Sequence, residues 1–316
     1  MKYVRLALIL ALTTLISACD GDNNDIRLLL ERYELASTDS VPEGVAFDPK
    51  DRAFYASSLN GGSIVKVDAQ GRETFFRRPD FRATIGGIKV DAKARRLWAC
   101  ASNVDDIDGR VWIFDLRNGE LLQEFFLGAL FPNGSCNDLA LDAAGFAYVT
   151  DPGNTALYKL DPSTGEGEVF ANDPLLADTL IPGLGQNGIV VNAAGDALIV
   201  AKFLPAGLVR ISLPNAESIS TITLTGDAFP TPDGLVELDG DIYSVADSSV
   251  ARTRLNADST AGEVAVAEQP TLGLSTATIA EGRVYVIKSA VTNFVLEQPL
   301  NLPFAIYSID LDAFDP

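Results

Sequence analysis

Four residues with oxygen-bearing side chains recur at one position of a repeated sequence pattern. They open its first, third, fourth and fifth copies, and they are Glu43, Asn137, Asn187 and Asp233. Carboxylate and amide oxygens are hard ligands of the kind that Ca²⁺ prefers, and two carboxylates would neutralise a divalent ion. The pattern therefore predicts a cation site, although any one of these residues alone would be better explained as a cap at a strand end.

The chain of 316 residues contains no histidine. This absence excludes Ser-His-Asp triads, Cys-His dyads and zinc or iron sites built on imidazole. Catalysis would have to use carboxylates, amides, hydroxyls or a metal that is held by oxygen. Such ligands suit Ca²⁺, or another hard divalent cation such as Mg²⁺ or Mn²⁺.

The elements that would position these residues recur six times. Each copy opens with a strand of alternating apolar residues, and the six opening residues are Glu43, Gly86, Asn137, Asn187, Asp233 and Ser275. About ten residues later a second strand carries a bulky side chain, in order Tyr55, Trp98, Tyr148, Leu198, Tyr243 and Tyr285. Successive copies start 43, 51, 50, 46 and 42 residues apart. This spacing predicts an all-β, six-bladed β-propeller with four-stranded blades, and it fits an open solenoid or a sandwich less well.

The last repeat reaches the end of the chain directly after its third strand. We expect the segment Ile26 to Ala36 to supply its missing outer strand, which would close the ring and remove an exposed sheet edge. The first strand of each blade should line the central channel. The opening residues should then converge at one mouth of that channel.

The N-terminus has the pattern of a bacterial lipoprotein signal. Lys2 and Arg5 precede the apolar run Leu6 to Ile16, and Ile16-Ser17-Ala18-Cys19 resembles a lipobox. An ordinary secretory signal is the alternative. The prediction divides the chain into a signal peptide (1–18), a tether (19–25) that begins at a lipidated Cys19, and the propeller (26–316). It places the protein in the cell envelope, on the periplasmic face of a bacterial membrane.

The charge restricts the partners. Without Lys2 and Arg5 the chain would carry 22 basic residues (24 less 2) against 43 acidic ones, a net charge of −21. Such a field repels phosphate backbones, so nucleic acid is not expected as a partner. We expect a monomer that binds a small-molecule substrate and touches the membrane only through its lipid anchor.

Two further cysteines remain if Cys19 carries a lipid. Cys100 and Cys136 would then lie in an oxidising compartment, where they could form a disulfide or stay as buried thiols.

Four short motifs carry a family resemblance. They are Pro42-Glu43-Gly44, Asn137-Asp138, Asn187-Gly188 and Pro232-Asp233-Gly234. In order and in blade assignment they resemble the gluconolactonase/regucalcin family (also called the senescence marker protein family) and its relative diisopropyl fluorophosphatase. The resemblance implies that Glu43, Asn137, Asn187 and Asp233 hold a calcium ion, and that Asp233 acts as base or nucleophile.

The resemblance implies a calcium-dependent hydrolase of small esters, lactones or organophosphate-like compounds. Ser135 stands where lactonases of the family place a sugar-binding arginine, which weakens the case for a sugar lactone. A non-catalytic binding propeller with a structural calcium is the main alternative, and a lyase or synthase like strictosidine synthase is a weaker one. Three loops are candidate apolar pocket walls or plain loop packing: Leu127 to Ser135, Pro174 to Gln186, and Ala290 to Pro303.

Overall fold

The computed structural model describes residues 28–103, 109–177 and 183–315. The predicted signal peptide, Cys19, the tether and the first two residues of the predicted propeller domain lie outside the described residues. Within the described residues, no helix is long and apolar enough to cross a membrane.

The described strands form six sheets arranged as the blades of a propeller. In each of the first five blades four consecutive strands pair antiparallel in sequence order, and in the sixth blade three consecutive strands do so. The first three blades consist of β2 (Val45–Asp48), β3 (Ala53–Ser57), β4 (Ile64–Asp68) and β5 (Glu73–Arg77); β6 (Ala83–Asp91), β7 (Arg96–Asn103), β8 (Gly109–Asp115) and β9 (Leu121–Phe126); and β10 (Leu139–Leu141), β11 (Ala147–Thr150), β12 (Ala156–Leu160) and β13 (Gly167–Asn172).

The remaining three blades follow the same plan with two additions. They consist of β14 (Gln186–Val191), β15 (Ala197–Lys202), β16 (Gly207–Ser212) and β17 (Ile219–Thr221); β19 (Leu235–Leu238), β20 (Asp241–Ala246), β21 (Ser249–Leu255), β22 (Ala261–Glu268) and the added β18 (Thr223–Gly226); and β23 (Leu274–Ala280), β24 (Arg283–Lys288), β25 (Ala305–Ser308) and β1 (Arg32–Glu34). The short helix α1 (Val291–Val295) lies between β24 and β25, and 3₁₀ turns cover Leu127–Ala129, Pro174–Leu176 and Leu311–Phe314.

The predicted ring closure is confirmed. The N-terminal strand β1 pairs antiparallel with β25, with Tyr33 opposite Ile306, and so completes the sixth blade. The paired strand is shorter than the segment assigned to it from the sequence. The closure joins the two ends of the described chain and covers the outer edge of β25.

The fifth blade contains a strand that the repeat pattern does not predict. The chain runs from the outer strand of blade 4 through the buried Ile222 to β18, which pairs in parallel with β22. Parallel pairing is possible here because the chain enters from the neighbouring blade and not from a hairpin. The added strand gives blade 5 a fifth member.

One apolar cluster fills each of the six contacts between neighbouring blades. The predicted bulky residues of the second strands are buried there. Tyr55 and Trp98, for example, each face the following blade. In blade 4, Ile199 takes this position and Leu198 faces the preceding blade. The sequence prediction for that strand was therefore wrong by one residue.

The innermost strands form a closed ring around the channel. In order around the axis, the contacting strands are β2, β6, β10, β14, β19 and β23, and β23 contacts β2 again. Glycines permit the close approach. A Cβ atom added to Gly188 would lie 2.5 Å from the Leu235 nitrogen and 2.7 Å from the Asp233 carbonyl oxygen.

We therefore predict that Gly188→Ala lowers the free energy of unfolding by about 1–3 kcal/mol, the usual cost of overpacking. The backbone atoms of residues 233–235 that the added Cβ would meet cannot move without displacing the inner strand of blade 5. Gly207→Ala is the matched control, because an added Cβ there meets no atom within 4 Å. Urea denaturation of both variants checks the prediction, and equal midpoints would contradict it.

A candidate metal centre at the channel mouth

A cavity of about 510 Å³ opens at one end of the channel. Its lining includes all four residues that the sequence singled out, Glu43, Asn137, Asn187 and Asp233. The structure thus brings together side chains from blades 1, 3, 4 and 5. The opening residue of blade 2, Gly86, also lines the cavity and leaves space beside Glu43, whose Oε2 atom would lie 3.3 Å from a Cβ at that position.

Six hydrogen bonds hold the opening residues of the blades at a common level. In each case the backbone carbonyl of the opening residue accepts a hydrogen bond from the preceding blade. The bonds are Ser57 Oγ to Gly86 (2.7 Å), Gly87 N to Asn137 (3.0 Å), Thr150 Oγ1 to Asn187 (2.7 Å), Gly188 N to Asp233 (2.9 Å), Gly234 N to Ser275 (2.9 Å) and Ser275 Oγ to Glu43 (2.8 Å). The ring of bonds fixes the backbone that carries the four candidate ligands.

Two of the four side chains have buried oxygens with no hydrogen-bond partner. They are Oε2 of Glu43 and Oδ1 of Asn137. A buried polar atom without a partner loses its hydration and gains nothing in return, at a cost of about 1–3 kcal/mol. Such atoms call for a ligand, and a hard cation would suit both of them. The residues present therefore fit a Ca²⁺ ion.

The electrostatics of the mouth favour the same interpretation. Burial raises the pKa of Glu43 well above its ordinary value, and the negative charges of Asp233 and Asp138 add to the shift while Lys89 opposes it. Burial also raises the pKa of Asp233 to about 7, against the effect of a hydrogen bond with the Asn187 side chain. The carboxylates are close together and poorly compensated, so a bound cation would relieve their repulsion.

The amides are essential to this candidate site. Across the described parts of the chain, no three His, Cys, Asp or Glu side chains form a metal-holding cluster. A cation at the mouth would therefore depend on the side-chain oxygens of Asn137 and Asn187 as much as on the two carboxylates.

A partly buried ion pair lies next to the candidate ligands, and sequence reasoning missed it. The Lys89 Nζ atom is 3.2 Å from the carboxylate of Asp138, which is 4% exposed. The Asp138 Oδ1 atom occupies the space that a side chain on Gly87 would need. A local signal exists, because the other copies of the repeat place glycine or threonine where blade 3 has Asp138.

Two more polar residues of the cavity were also missed. Gln186 donates from its Nε2 to the carbonyls of Asp151 and Ala156 (3.1 and 2.7 Å), and its buried Oε1 atom has no partner. Asp247 lines the cavity as an exposed carboxylate just after β20. No sequence pattern distinguishes either residue, because their proximity to the mouth depends on the packing of blades 4 and 5.

The structure gives Ser135 a structural role. Its hydroxyl donates to Asp151 Oδ1 (2.5 Å) and its backbone nitrogen donates to Oδ2 (3.1 Å), while Tyr158 donates to the same carboxylate (2.5 Å). Asp151 is fully buried. Ser135 does not line the cavity, and no lysine or arginine within the described ranges does so.

A disulfide joins the two cysteines of the described chain. Cys100 and Cys136 are bonded, with Cα atoms 5.3 Å apart, and both line the cavity. The bond ties the second strand of blade 2 to the segment that leads into blade 3. It therefore anchors the backbone directly before Asn137.

Two of the three candidate loops contribute to the walls of the cavity. The helix α1 and its successor supply Val291, Val295 and Leu296, and the end of the loop before blade 4 supplies Leu184. For Leu127 to Ser135 the second alternative, plain loop packing, holds, because its apolar side chains, Leu127 above all, pack between blades 2 and 3. Residues 178–182 of the middle loop lie outside the described residues.

Comparison with known proteins identifies the fold but finds no close relative. No protein-family model matches the chain, and no curated protein matches it in sequence. Among solved structures, the allergen Mala s 1 of Malassezia sympodialis superimposes with a TM-score of 0.74 at 14% identity, over 92% of this chain and 98% of that one.

Two further solved structures show the same fold. A gluconolactonase of Xanthomonas campestris has a TM-score of 0.62 at 17% identity, over 85% of this chain and 86% of that one. The calcium-binding protein regucalcin of Agrobacterium tumefaciens has a TM-score of 0.62 at 14% identity, over 88% and 92%. These likenesses establish the six-bladed propeller.

Proposed function

We propose that this protein is a hydrolase of small esters or lactones that depends on Ca²⁺ or a similar hard divalent cation. The observation that carries the proposal is the convergence of Glu43, Asn137, Asn187 and Asp233 on one cavity, with buried oxygens that have no partner. The likeness to solved structures named gluconolactonase and regucalcin supports it.

The four residues would hold the cation through two carboxylate and two amide oxygens. A bound Ca²⁺ would supply a Lewis acid that polarises the carbonyl oxygen of the substrate. The rigid ring of hydrogen bonds beneath the mouth would keep the ligands in place during turnover. Gln186 offers a further oxygen at the same mouth.

Asp233 is the proposed base or nucleophile. As a base it would remove a proton from water while the water oxygen bonds to the carbonyl carbon. The ester C–O bond then breaks, and the departing alkoxide oxygen takes up the proton that Asp233 had removed. The hydrogen bond with Asn187 would orient the Asp233 carboxylate for this step.

A binding propeller with a structural calcium is the second candidate. The same closed ring of hydrogen bonds and the same unpartnered oxygens would suit an ion that ties the blades together at the axis. In that case the cavity would bind a ligand or a protein without converting it.

Hydrolysis of a panel of lactones and aryl esters, with and without a chelator, separates the two candidates. We expect turnover that the chelator abolishes and that added Ca²⁺ restores. Tight Ca²⁺ binding without turnover on any substrate would contradict the enzyme and support the binding module. Turnover that is insensitive to the chelator would contradict both.

The proposed cellular location rests on the predicted lipoprotein signal at the N-terminus. Lipidation of Cys19 would anchor the protein to the periplasmic face of a bacterial membrane, with the tether of residues 19–25 between lipid and propeller. The acidic chain would remain soluble beside the membrane.

A further inference from the structure

Helix α1 holds apolar side chains at the rim of the candidate metal centre. None of its five residues is buried. Val291 packs partly against the core between blades 6 and 1, whereas Val295 and the following Leu296 are 70% and 60% exposed. Both of these side chains nevertheless line the mouth cavity. The helix therefore presents apolar surface to the cavity without covering it.

Other blades extend this apolar surface around the mouth. Leu59 of blade 1 and Leu184 and Phe203 at the start and in the loops of blade 4 also line the cavity. Exposed apolar surface that is contiguous and borders a polar site usually marks a binding surface. Among the lining residues, Glu43 and Asn187 are buried, whereas the apolar side chains of Leu184, Val295 and Leu296 are exposed.

The charges of the cavity restrict what this surface can bind. Its lining contains the carboxylates of Glu43, Asp233 and Asp247 and, among the described residues, no lysine or arginine. A substrate with a carboxylate or phosphate of its own would meet repulsion without a compensating partner. A bound divalent cation would balance two of the three negative charges. No positive charge would then remain to attract an anionic substrate.

We propose that the site takes neutral lactones or esters that carry an aliphatic chain, with the carbonyl at the four oxygen ligands and the chain along α1. This inference rests on the proposed function and adds the substrate class. A volume of about 510 Å³ accommodates such a molecule. Hydrolysis of the lactone breaks the ring C–O bond, adds one water and yields a hydroxy acid whose new carboxylate the acidic mouth repels.

A series of γ-lactones of increasing chain length, from γ-butyrolactone to γ-dodecalactone, tests the proposal. Both kcat/KM and the Kd for each lactone are measured, the latter by displacement of the neutral dye Nile red from the calcium-loaded protein. We expect kcat/KM to rise and Kd to fall about two- to fourfold per added methylene. This is the change that partial to full burial of each methylene group produces. γ-Butyrolactone with a carboxylate substituent should bind more weakly than its neutral parent.

Variants show whether α1 is responsible. The double variant Val295→Asn/Leu296→Asn should reduce the gain per methylene to nearly onefold. The matched control is Leu122→Asn on β9, where the side chain is 52% exposed and away from the cavity. The control should keep the chain-length dependence of the native protein.

The outcomes separate this inference from the proposed function. Turnover that does not change with chain length would overturn the inference and leave the hydrolase standing. Dye displacement that improves with chain length, is lost in the α1 variant and occurs without turnover would support the inference and overturn the hydrolase. The absence of both turnover and chain-length-dependent displacement would overturn the inference.

Discussion

Asp233→Asn is expected to lower kcat on a responsive lactone or ester by about 10²–10⁴-fold, the range that loss of a general base produces. Asparagine keeps an oxygen that can bind the cation but cannot accept the proton. A half-buried negative charge is also lost, so the fold should not weaken. The rates should be measured at saturating Ca²⁺, so that reduced metal affinity does not imitate a reduced rate, and thermal denaturation should confirm folding.

The control for this experiment is the carboxylate of the same cavity that is not among the four candidate ligands. Asp247 is exposed and approaches Asp233 closely enough to raise its pKa. We expect Asp247→Asn to retain most of the activity. Unchanged turnover in Asp233→Asn, or a loss that appears only in Asp247→Asn, would contradict the assignment of Asp233 as base or nucleophile.

Glu43→Gln is expected to change stability in opposite directions with and without Ca²⁺. Without the cation, Glu43 is a buried carboxylate next to Asp233 and Asp138, which is why its pKa is raised. Glutamine removes that repulsion, so the metal-free variant should melt at a higher Tm than the metal-free native protein. With the cation, the variant lacks one anionic ligand, so the Tm increase on addition of Ca²⁺ should be much smaller.

Protons compete with Ca²⁺ for the same carboxylates, so stability and Ca²⁺ affinity should both depend on pH. Because the folded-state pKa of Asp233 is raised to about 7, its protonated form favours the metal-free fold. This stabilising effect is complete below the pKa of the unfolded chain and is lost as the pH rises to about 7. Ca²⁺ must displace that proton, so Ca²⁺ affinity should fall as the pH drops below about 7.

A glutamate elsewhere provides the control for Glu43→Gln. Glu166 lies on an exposed turn of blade 3. Glu166→Gln should leave both melting temperatures and the Ca²⁺ response as in the native protein. If Glu43→Gln behaves like Glu166→Gln, then Glu43 does not hold a cation.

The fold could be predicted because each of the six sequence repeats carries the same structural signals. Alternating strands, bulky side chains between blades and turn residues all recur six times, so an error in one copy, such as Leu198 for Ile199, does not change the conclusion. The position of β18 could not be predicted in this way. Its residues have the pattern of a strand, but the edge that it joins depends on the packing of blade 5 against blade 4.

Only part of the candidate site could be predicted from the sequence, for a related reason. Glu43, Asn137, Asn187 and Asp233 share one position in the repeat, so the ring symmetry brings them together. Asp247, Gln186 and the pair of Lys89 with Asp138 have no common position in the repeat. Their places at or near the mouth depend on contacts between blades. The sequence left the role of the loop from Leu127 to Ser135 open, because apolar loop residues suit a pocket wall and a core equally well.

A crystal structure of the protein soaked with Ca²⁺ tests the central claim most directly. We predict one strong density peak on the channel axis, about 2.3–2.6 Å from side-chain oxygens of Glu43, Asn137, Asn187 and Asp233. A peak bound elsewhere, or an axis without density while these four side chains point to different surroundings, would contradict the account.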